Sequence, residues 1–528
     1  MKSPIPVLLL LVSFLPTLSS AGTRWSDGIA AVKVIGQPDF TSNAGTNTVD
    51  RLSFPEDVAI DPVTGKIFVA DTGNNRVLRY ASYAALANGA AAEGVIGQSD
   101  FGATGGRNTQ DGLFAPSGVY VDGAGRLWVS DKNNNRILRY DDAATLPDGP
   151  LADGILGQTG YGVSGAAISQ TRLWNPKGIT GDATGNLFVV DALSQRILMF
   201  ADAANLPDSS PASLVLGQEN FTGSGVATQQ DNLFSPTAIA LDATGNLYVA
   251  DTENHRVLRF NAAATKSNGD DADAVFGQVN FNTGVAAAGA TGLSSPRGVA
   301  VDAAGRLWVA DSANGRILGF DNAATAGNGA TATLVLGRPD FTLDAAPEVS
   351  ASRIDSPYGI EVDGNGRLHV CDRANSRVLF FSPSTFQPDL TIGAKIGSQR
   401  GAGVINTSGA GQKQITVTSG KRVKFFAFLR NGGNAIDRYA VTSEKPDSRT
   451  DIKVYRVTGG RANVTATTKT GLHQTADLAG GAASQYELQM KAKGRSAKEK
   501  GTFKAFLQGR SLTDGASDRV LAWIKNRP

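Results

Sequence analysis

Few residue types in this 528-residue chain stand in an arrangement known to support catalysis. There are three histidines, His255, His369 and His473, and one cysteine, Cys371. The sequence has no Gly-Lys-Ser phosphate loop, no Gly-x-Ser-x-Gly nucleophile turn and no recognisable catalytic Cys-His motif. Catalytic zinc usually takes three protein ligands, and these histidines fall in a loop, a strand and a separate domain. We therefore do not expect them to form one zinc site.

One acidic cluster raises the question of calcium. Asp270, Asp271 and Asp273 lie close together, but the spacing of an EF-hand loop is absent. The cluster is better explained as a charged surface turn.

A repeat of 60 or 61 residues must position most side chains before residue 395. Its closing proline recurs at Pro55, Pro116, Pro176, Pro236, Pro296 and Pro357. A long, regular period indicates one supersecondary unit copied and placed beside itself.

Within one copy the pattern predicts only β-strands. Residues 299–301 and 307–310 are short apolar runs bounded by turn signals, and further strands are expected over 316–320 and 334–336. A hairpin glycine joins the first two strands of each copy, at Gly65, Gly125, Gly185, Gly245, Gly305 and Gly366. Four antiparallel strands in each of six copies predict a closed six-bladed β-propeller. The alternative, a β-solenoid, normally has much shorter coils.

The repeated strings resemble the NHL-repeat family. Each copy follows Pro-x-Gly-Val-Ala-Val-Asp, then Leu-x-Val-Ala-Asp, then x-x-Asn-x-Arg-Val-Leu, as in DTGNNRVLRY from Asp71 and DTENHRVLRF from Asp251. The resemblance covers roughly residues 30 to 395. It implies a six-bladed propeller that binds partners on one face, and the family has a few lyase and hydrolase members.

An aspartate and an arginine recur in every copy and are interpreted as architecture. The aspartate ends the second strand and the arginine begins the third, as in Asp251 and Arg256. A catalytic site needs one constellation, whereas six identical ones imply ion pairs that hold each blade to itself or its neighbour. Cys371 stands where other copies have alanine and is expected to be a small core residue.

Function is expected where the copies differ. The residue after the repeat proline starts the innermost strand at the mouth of the channel, and three residues later comes the strand's middle position. The binding-face candidates at these two positions are Glu56, Ser117, Lys177, Thr237, Arg297, Tyr358, Tyr120 and Glu361. Concave sites with a few converging polar groups are the usual place for ligands. The alternative is that they are solvated rim residues.

Two functions remain open from sequence. The first is a binding or scaffolding module for a protein or carbohydrate partner, with no cofactor. The second is a propeller lyase or lactonase with a divalent metal, calcium or zinc, in the channel, for which Glu56 and Glu361 are a partial ligand set at best. No catalytic residue is assigned.

The N-terminus predicts export. Residues 1–21 contain an apolar run and end in Ser19-Ser20-Ala21, which indicates a signal peptide and a secreted or periplasmic bacterial protein. Residues 22–395 are assigned to the propeller. Residues 32–35 match the outer strands of other copies and are expected to complete the sixth blade, although residues 389–393 are an alternative.

The C-terminal part differs in composition. Residues 400–528 hold 23 Lys and Arg against 9 Asp and Glu, a net charge of +14, whereas residues 1–399 hold 27 against 39, a net of −12. After a Gly-rich linker, residues 396–412, strand-like segments over 413–528 predict a small immunoglobulin-like β-sandwich. A lysine cluster around residues 491–504 is a candidate site for an anionic cell-surface polymer. Neither nucleic acid nor a transmembrane segment is expected.

Overall fold

A computed structural model of the chain describes residues 22–342, 348–386 and the strands between residues 388 and 526. The described residues divide into two compact units, one spanning Trp25–Ser382 and one containing Gly22–Arg24 with the strands from Ser384 onward. The predicted signal peptide, residues 1–21, and the predicted linker, residues 396–412, lie outside the described residues. In the part of the chain that is described, no helix is long and apolar enough to cross a membrane.

The first unit is a β-propeller of six four-stranded antiparallel sheets, here called blades 1 to 6 in chain order. Strands are counted outward from the central channel. The first strands are Asp57–Ile60, Pro116–Val121, Pro176–Gly181, Pro236–Leu241, Pro296–Val301 and Pro357–Val362. The second strands are Ile67–Asp71, Leu127–Asp131, Leu187–Asp191, Leu247–Asp251, Leu307–Asp311 and Leu368–Asp372. The third strands are Arg76–Tyr80, Arg136–Tyr140, Arg196–Phe200, Arg256–Phe260, Arg316–Phe320 and Arg377–Phe381. The fourth strands of blades 1 to 5 are Gly94–Ile96, Gly154–Leu156, Leu214–Leu216, Ala274–Phe276 and Leu334–Leu336.

Short 3-10 helices fill two kinds of loop. Those between second and third strands are Thr72–Asn74, Lys132–Asn134, Ala192–Ser194, Thr252–Asn254, Ser312–Asn314 and Arg373–Asn375. Those after third strands are Ala143–Thr145, Ala203–Asn205 and Ala263–Thr265. The predicted hairpin glycines all have positive φ, for example +77° at Gly305, which explains why no other residue replaces glycine there.

The core lies between neighbouring blades. The second strands are buried along their whole length because each side of a blade packs on another blade. One apolar cluster, for instance, joins Tyr248 of blade 4 to Leu307 of blade 5. Cys371 is fully buried in the cluster that joins blade 6 to Ile67 of blade 1, so its predicted core role is confirmed.

The N-terminal segment closes the ring. Lys33–Ile35 is the fourth strand of blade 6 and pairs antiparallel with the third strand, Val34 opposite Leu379. The preference for residues 32–35 as the closing strand is therefore confirmed. Residues 388–394 pair instead with Val423–Asn431 in the second unit.

The recurring aspartate and arginine form six ion pairs whose side chains are fully buried. In blade 4, Arg256 Nε donates to Asp251 Oδ2 at 2.7 Å, and the remaining guanidinium nitrogens donate to four backbone carbonyls of the loops on either side of the blade. Asp251 also accepts from the Phe234 backbone nitrogen and from Asn254. The pairs thus hold the loops to each blade, which confirms their predicted structural role.

The second unit contains two five-stranded sheets and a two-stranded ribbon. The first sheet has the order Pro388–Ala394, Val423–Asn431, Ala483–Ala492, Thr450–Arg456, Ala462–Asn463. The second has the order Lys413–Thr418, Ser517–Asn526, Gly501–Ser511, Tyr439–Ser443, His473–Gln474. The ribbon pairs Gly22–Arg24 with Ser384–Phe386. The immunoglobulin-like arrangement stays a prediction, and most of the lysine cluster, residues 493–500, lies outside the described residues.

Candidate functional site

The six first strands surround a central cavity of about 300 Å³. All eight binding-face candidates line it: Glu56, Ser117, Lys177, Thr237, Arg297, Tyr358, Tyr120 and Glu361. The structure therefore brings together residues that are up to 305 positions apart in the sequence. Their binding role stays a prediction, and their local contacts divide them into two groups.

Three of the eight side chains hold neighbouring blades together. Ser117 Oγ donates to the carbonyl of Pro176 at 3.0 Å, and Tyr120 Oη donates to the carbonyl of Gly181 at 3.2 Å. Thr237 is buried and its hydroxyl lies 2.7 Å from that of Thr252 and 3.4 Å from the carbonyl of Pro296. These hydroxyls already have protein partners, so they contribute to the wall of the cavity more than to recognition.

A column of small residues brings the first strands close together. A Cβ atom on Gly298 would lie 1.9 Å from the carbonyl oxygen of Tyr358, and one on Gly118 would lie 2.2 Å from that of Lys177. Blade 1 has Asp57 in this column instead. Asp57 Oδ2 accepts a 3.0 Å hydrogen bond from the backbone nitrogen of Val119, so a carboxylate replaces the close backbone approach between blades 1 and 2.

Asp57 and Glu361 form an acidic pair inside the channel. Burial raises the pKa of Asp57 to about 7, opposed by the backbone hydrogen bonds from Val119 and Val58. Burial, with repulsion from Asp57 and Asp363, raises the pKa of Glu361 to about 8. The Glu361 side chain remains partly exposed because it faces the channel instead of the packed core. At neutral pH the pair therefore holds at least one proton.

The channel mouth carries an ion-paired cluster around Glu56. Lys132 Nζ lies 3.1 and 2.9 Å from the two carboxylate oxygens of Glu56, and Arg373 Nε lies 3.6 Å from Oε1. The guanidinium groups of Arg297 and Arg373 lie over the Tyr358 ring, 5.1 and 4.8 Å from its centroid. Stacking on the ring fixes the planes of both guanidinium groups and leaves their N–H edges for other partners.

Lys177 stands apart within this cluster. It is half-buried on the first strand of blade 3, and its ammonium group has no hydrogen bond or ion pair to any described residue. Burial lowers its pKa to about 8, an effect that Glu56 opposes and that Lys132 and Arg297 reinforce. Glu56 and Glu253 are near enough to act on Lys177 electrostatically, but neither forms an ion pair with it.

Exposed aromatic side chains on the same face were not predicted from the sequence. They are Phe54, Phe114, Trp174 and Phe234 of blades 1 to 4, exposed by 47, 42, 40 and 38%. The carbonyls of the last three accept hydrogen bonds from loops between second and third strands, which places them beside the channel mouth. We call these four residues the aromatic arc. The sequence does contain a signal for these residues. At the position of Phe114, two residues before the repeat proline, other copies have the polar residues Ser53, Ser294 and Asp355, so the position does not require a buried aromatic side chain.

Two of the three histidines, His255 and His369, take structural positions. His255 Nδ1 accepts a 3.0 Å hydrogen bond from the backbone nitrogen of Ser295, which links blades 4 and 5. His369 is buried beside Phe380 with its Nε2 3.5 Å from Asp363 Oδ2. It occupies the place of Trp308, whose Nε1 donates to Asp302 at 3.1 Å in blade 5.

The described residues do not fit a divalent metal in the channel. No group of three or more His, Cys, Asp or Glu side chains that could hold a metal occurs among them. Glu56, the proposed partner of Glu361, is instead neutralised by Lys132 and Arg373. A lyase or lactonase site of the metal-dependent kind therefore has no matching ligand set in this part of the chain. At the Asp270 turn, Asp273 pairs with Lys266 at 2.9 Å.

Comparison with known proteins agrees with the repeat and the blades. The NHL repeat family matches residues 52–80, 115–140, 235–260 and 293–320, which fall in blades 1, 2, 4 and 5. The chain carries NHL repeats. Human NHL repeat-containing protein 2 is 27% identical over 361 residues, 62% of this chain and 46% of that protein. Human Teneurin-4 is 26% identical over 292 residues, 49% of this chain and 10% of that protein. The chain thus spans less than half the length of either relative.

Solved structures similar to this propeller include two bacterial proteins. One is a gluconolactonase from Xanthomonas campestris, with a TM-score of 0.39, 15% identity, and coverage of 67% of this chain and 98% of that one. The other is regucalcin, a calcium-binding protein from Agrobacterium tumefaciens, with a TM-score of 0.36, 13% identity, and coverage of 67 and 95%. At these scores neither structure adds support for the fold. The assignment as a propeller depends on the strand pairing within the six blades.

Proposed function

We propose that this protein is an exported binding module that engages a protein partner through the propeller face carrying the channel mouth and the aromatic arc. The observation that carries the proposal is the arc itself. Four large aromatic side chains on consecutive blades remain between 38 and 47% exposed beside one cavity.

Exposed aromatic side chains of this kind favour a macromolecular partner. Aromatic residues and arginine are enriched in protein interfaces and contribute most of their binding energy. The arc extends over four blades, whereas the cavity, at about 300 Å³, is at the small end of the pockets that hold a single small molecule. A partner that covers both must be larger than the cavity.

Site-specific photo-crosslinking in cells that make the protein tests the proposal. A photoreactive amino acid is placed at Phe114 or Trp174, and at Val63 as the control. Val63 is 71% exposed in the hairpin between first and second strands, at the opposite end of the blade from the arc. We expect a discrete protein adduct from the two arc positions only. Equal adducts from Val63, or an adduct with polysaccharide in place of protein, would contradict the proposal.

Export is part of the proposal and rests on the sequence of residues 1–21. N-terminal sequencing of the protein recovered outside the cytoplasm is expected to begin at Gly22. Recovery of the intact N-terminus from the cytoplasm would contradict it.

For the C-terminal region we propose an immunoglobulin-like module that contacts an anionic surface polymer. Its support is the net charge of +14 over residues 400–528 and the two five-stranded sheets. Binding to such a polymer is expected to weaken steeply between low and physiological salt because exposed charges are screened within about 10 Å at 0.1 M salt. Binding that salt does not change would contradict an electrostatic contact.

A further inference from the structure

We propose that the cations at the channel mouth form a receptor site for a carboxylate group presented by the protein partner. This inference rests on the proposed function, because it names the chemistry of the partner that the same face would take. The site, called the cationic mouth below, consists of Lys132, Lys177, Arg297 and Arg373.

The first argument is an imbalance of charge. Four cations lie at the mouth with two carboxylates, that of Glu56, which is already held by Lys132 and Arg373, and that of Glu253. The two other channel carboxyls, Asp57 and Glu361, have raised pKa values and add little negative charge at neutral pH. Lys177 and Arg297 have no acidic partner among the described residues. This local excess is opposite in sign to the rest of the region, since residues 1–399 carry a net charge of −12. An acidic domain that concentrates unpaired cations at one concave point attracts anions to that point.

The second argument is that the donors are held in place before a ligand arrives. Arg297 and Arg373 both lie against the Tyr358 ring, and Arg373 also lies 5.1 Å from the centroid of the Phe54 ring. Arg373 Nε faces Glu56 Oε1 at 3.6 Å, which helps to hold the guanidinium group in place. A guanidinium edge fixed in this way matches the planar geometry of a carboxylate, which accepts two parallel N–H bonds.

The third argument joins the cationic mouth to the aromatic arc. Phe54 belongs to the arc and contacts Arg373 of the mouth, so the two surfaces are continuous. A protein that lies on the arc can therefore place an Asp or Glu side chain, or its C-terminal carboxylate, between Lys177 and Arg297. Charge complementarity at the centre and aromatic contacts around it are typical of specific interfaces.

The experiment uses the full-length mature protein and small probes of known chemistry. Saturation-transfer NMR titrations compare N-acetyl-glutamate N-methylamide with the neutral, nearly isosteric N-acetyl-glutamine N-methylamide at millimolar concentrations. N-acetylglycine and N-acetylglycinamide form the matched pair for a C-terminal carboxylate, and glucuronate and glucose form the pair for an acidic sugar. We expect at least one of the two amino-acid carboxylates to bind about tenfold more tightly than its neutral match.

Two variants test the residues. Lys177→Met and Arg297→Gln are each expected to weaken binding of the amino-acid carboxylate about tenfold. Both residues directly follow the repeat proline, a position that Ser117, Thr237 and Tyr358 occupy in other blades, so the fold should tolerate the two substitutions. Lys66→Met, which removes a lysine paired with Glu93 elsewhere on blade 1, is the control and is expected to leave binding unchanged.

Each outcome decides the inference. Equal binding of charged and neutral probes, or no binding of any carboxylate, would overturn it. Binding of glucuronate without either amino-acid carboxylate would also overturn it, since the occupant would then be an acidic sugar. Cross-links from the aromatic arc together with failed carboxylate binding would leave the proposed function standing and remove only this inference.

Discussion

Two carboxyls with raised pKa values inside the channel make the stability of the propeller sensitive to pH. Glu361 has a pKa of about 8 in the folded protein against an ordinary value of 4.5, and Asp57 about 7 against 3.8, both because burial disfavours the charged form. Between the unfolded and folded values the folded state holds the proton and the unfolded state does not. Stability from these groups is therefore greatest below about pH 4 and falls as the pH rises towards 8.

Substitution of Glu361 by glutamine should remove part of this dependence. The variant keeps the shape of the side chain but carries no charge at any pH, so its melting temperature should fall less between pH 5 and 8 than that of the wild type. Differential scanning calorimetry at several pH values measures the difference. Glu219→Gln is the control, since Glu219 is an exposed carboxyl. An identical pH slope in the Glu361 variant would show that this carboxyl is ionised in the folded state.

Lys177 gives the carboxylate site a pH limit of its own. Its pKa is lowered to about 8, mainly by burial, and a bound carboxylate would raise it. Binding therefore keeps its full strength below pH 8 and weakens as the pH rises above that value. Lys177→Arg is expected to bind the N-acetyl-glutamate probe as well at pH 9 as at pH 7, because a guanidinium stays protonated. A wild-type affinity that does not change between pH 7 and 9 would exclude Lys177 from the contact.

Each buried Asp–Arg pair should be costly to break. Arg256→Met leaves the Asp251 carboxylate buried and removes donors from four backbone carbonyls, so we expect a loss of about 3–5 kcal/mol in the free energy of unfolding. Lys66→Met breaks the partly exposed pair with Glu93 and should cost less than about 1 kcal/mol. Urea unfolding of both variants gives the comparison. Similar small losses in both would show that the repeated pair does not contribute as proposed.

At the scale of the element, the closing strand is the one blade component brought from elsewhere in the chain. Ile35 pairs with Val378 and is fully buried, and Ile96 holds the same place in blade 1 opposite Val77. Blade 1, however, is continuous in sequence, whereas blade 6 depends on a segment more than 300 residues away, whose closure carries a larger entropy cost.

The pair Ile35→Ala and Ile96→Ala tests whether the closure is the weak point of the ring. Each should lower the free energy of unfolding by about 2–5 kcal/mol, since both remove the same atoms from a buried site. Hydrogen exchange followed by mass spectrometry should detect a local opening in residues 377–381 of the Ile35 variant, and a smaller one in residues 76–80 of the Ile96 variant. Equal protection in both segments would mean that the ring opens only as a whole.

At the scale of the whole molecule, the fold could be predicted because a 60-residue period fixes four strands six times. The site was predicted in part. The positions that vary between copies did lead to the channel. Ser117 and Thr237, however, bind neighbouring blades, and variability at a position does not reveal which atoms a hydroxyl contacts across a blade interface. The aromatic arc went unnoticed because Trp174 and Phe234 resemble ordinary core residues in sequence. Their exposure depends on the loops around them, whose backbone nitrogens donate to the Trp174 and Phe234 carbonyls in the folded ring.

The ring should fold without the second unit. Every strand that builds and closes it lies within Trp25–Ser382, and the closing strand comes from the N-terminal side. Residues 22–382 alone should therefore melt within about 2 °C of the propeller transition in the full mature chain, the shift produced by less than about 1 kcal/mol in a domain of this size. Residues 37–382, which lack Lys33–Ile35, are the matched control and should aggregate or unfold over a broad range, because the third strand of blade 6 loses its partner and exposes an edge. Calorimetry gives the melting temperatures of the two fragments, and size-exclusion chromatography shows whether each is monomeric. A well-folded, monomeric fragment 37–382 would mean that the N-terminal strand is dispensable for closing the propeller.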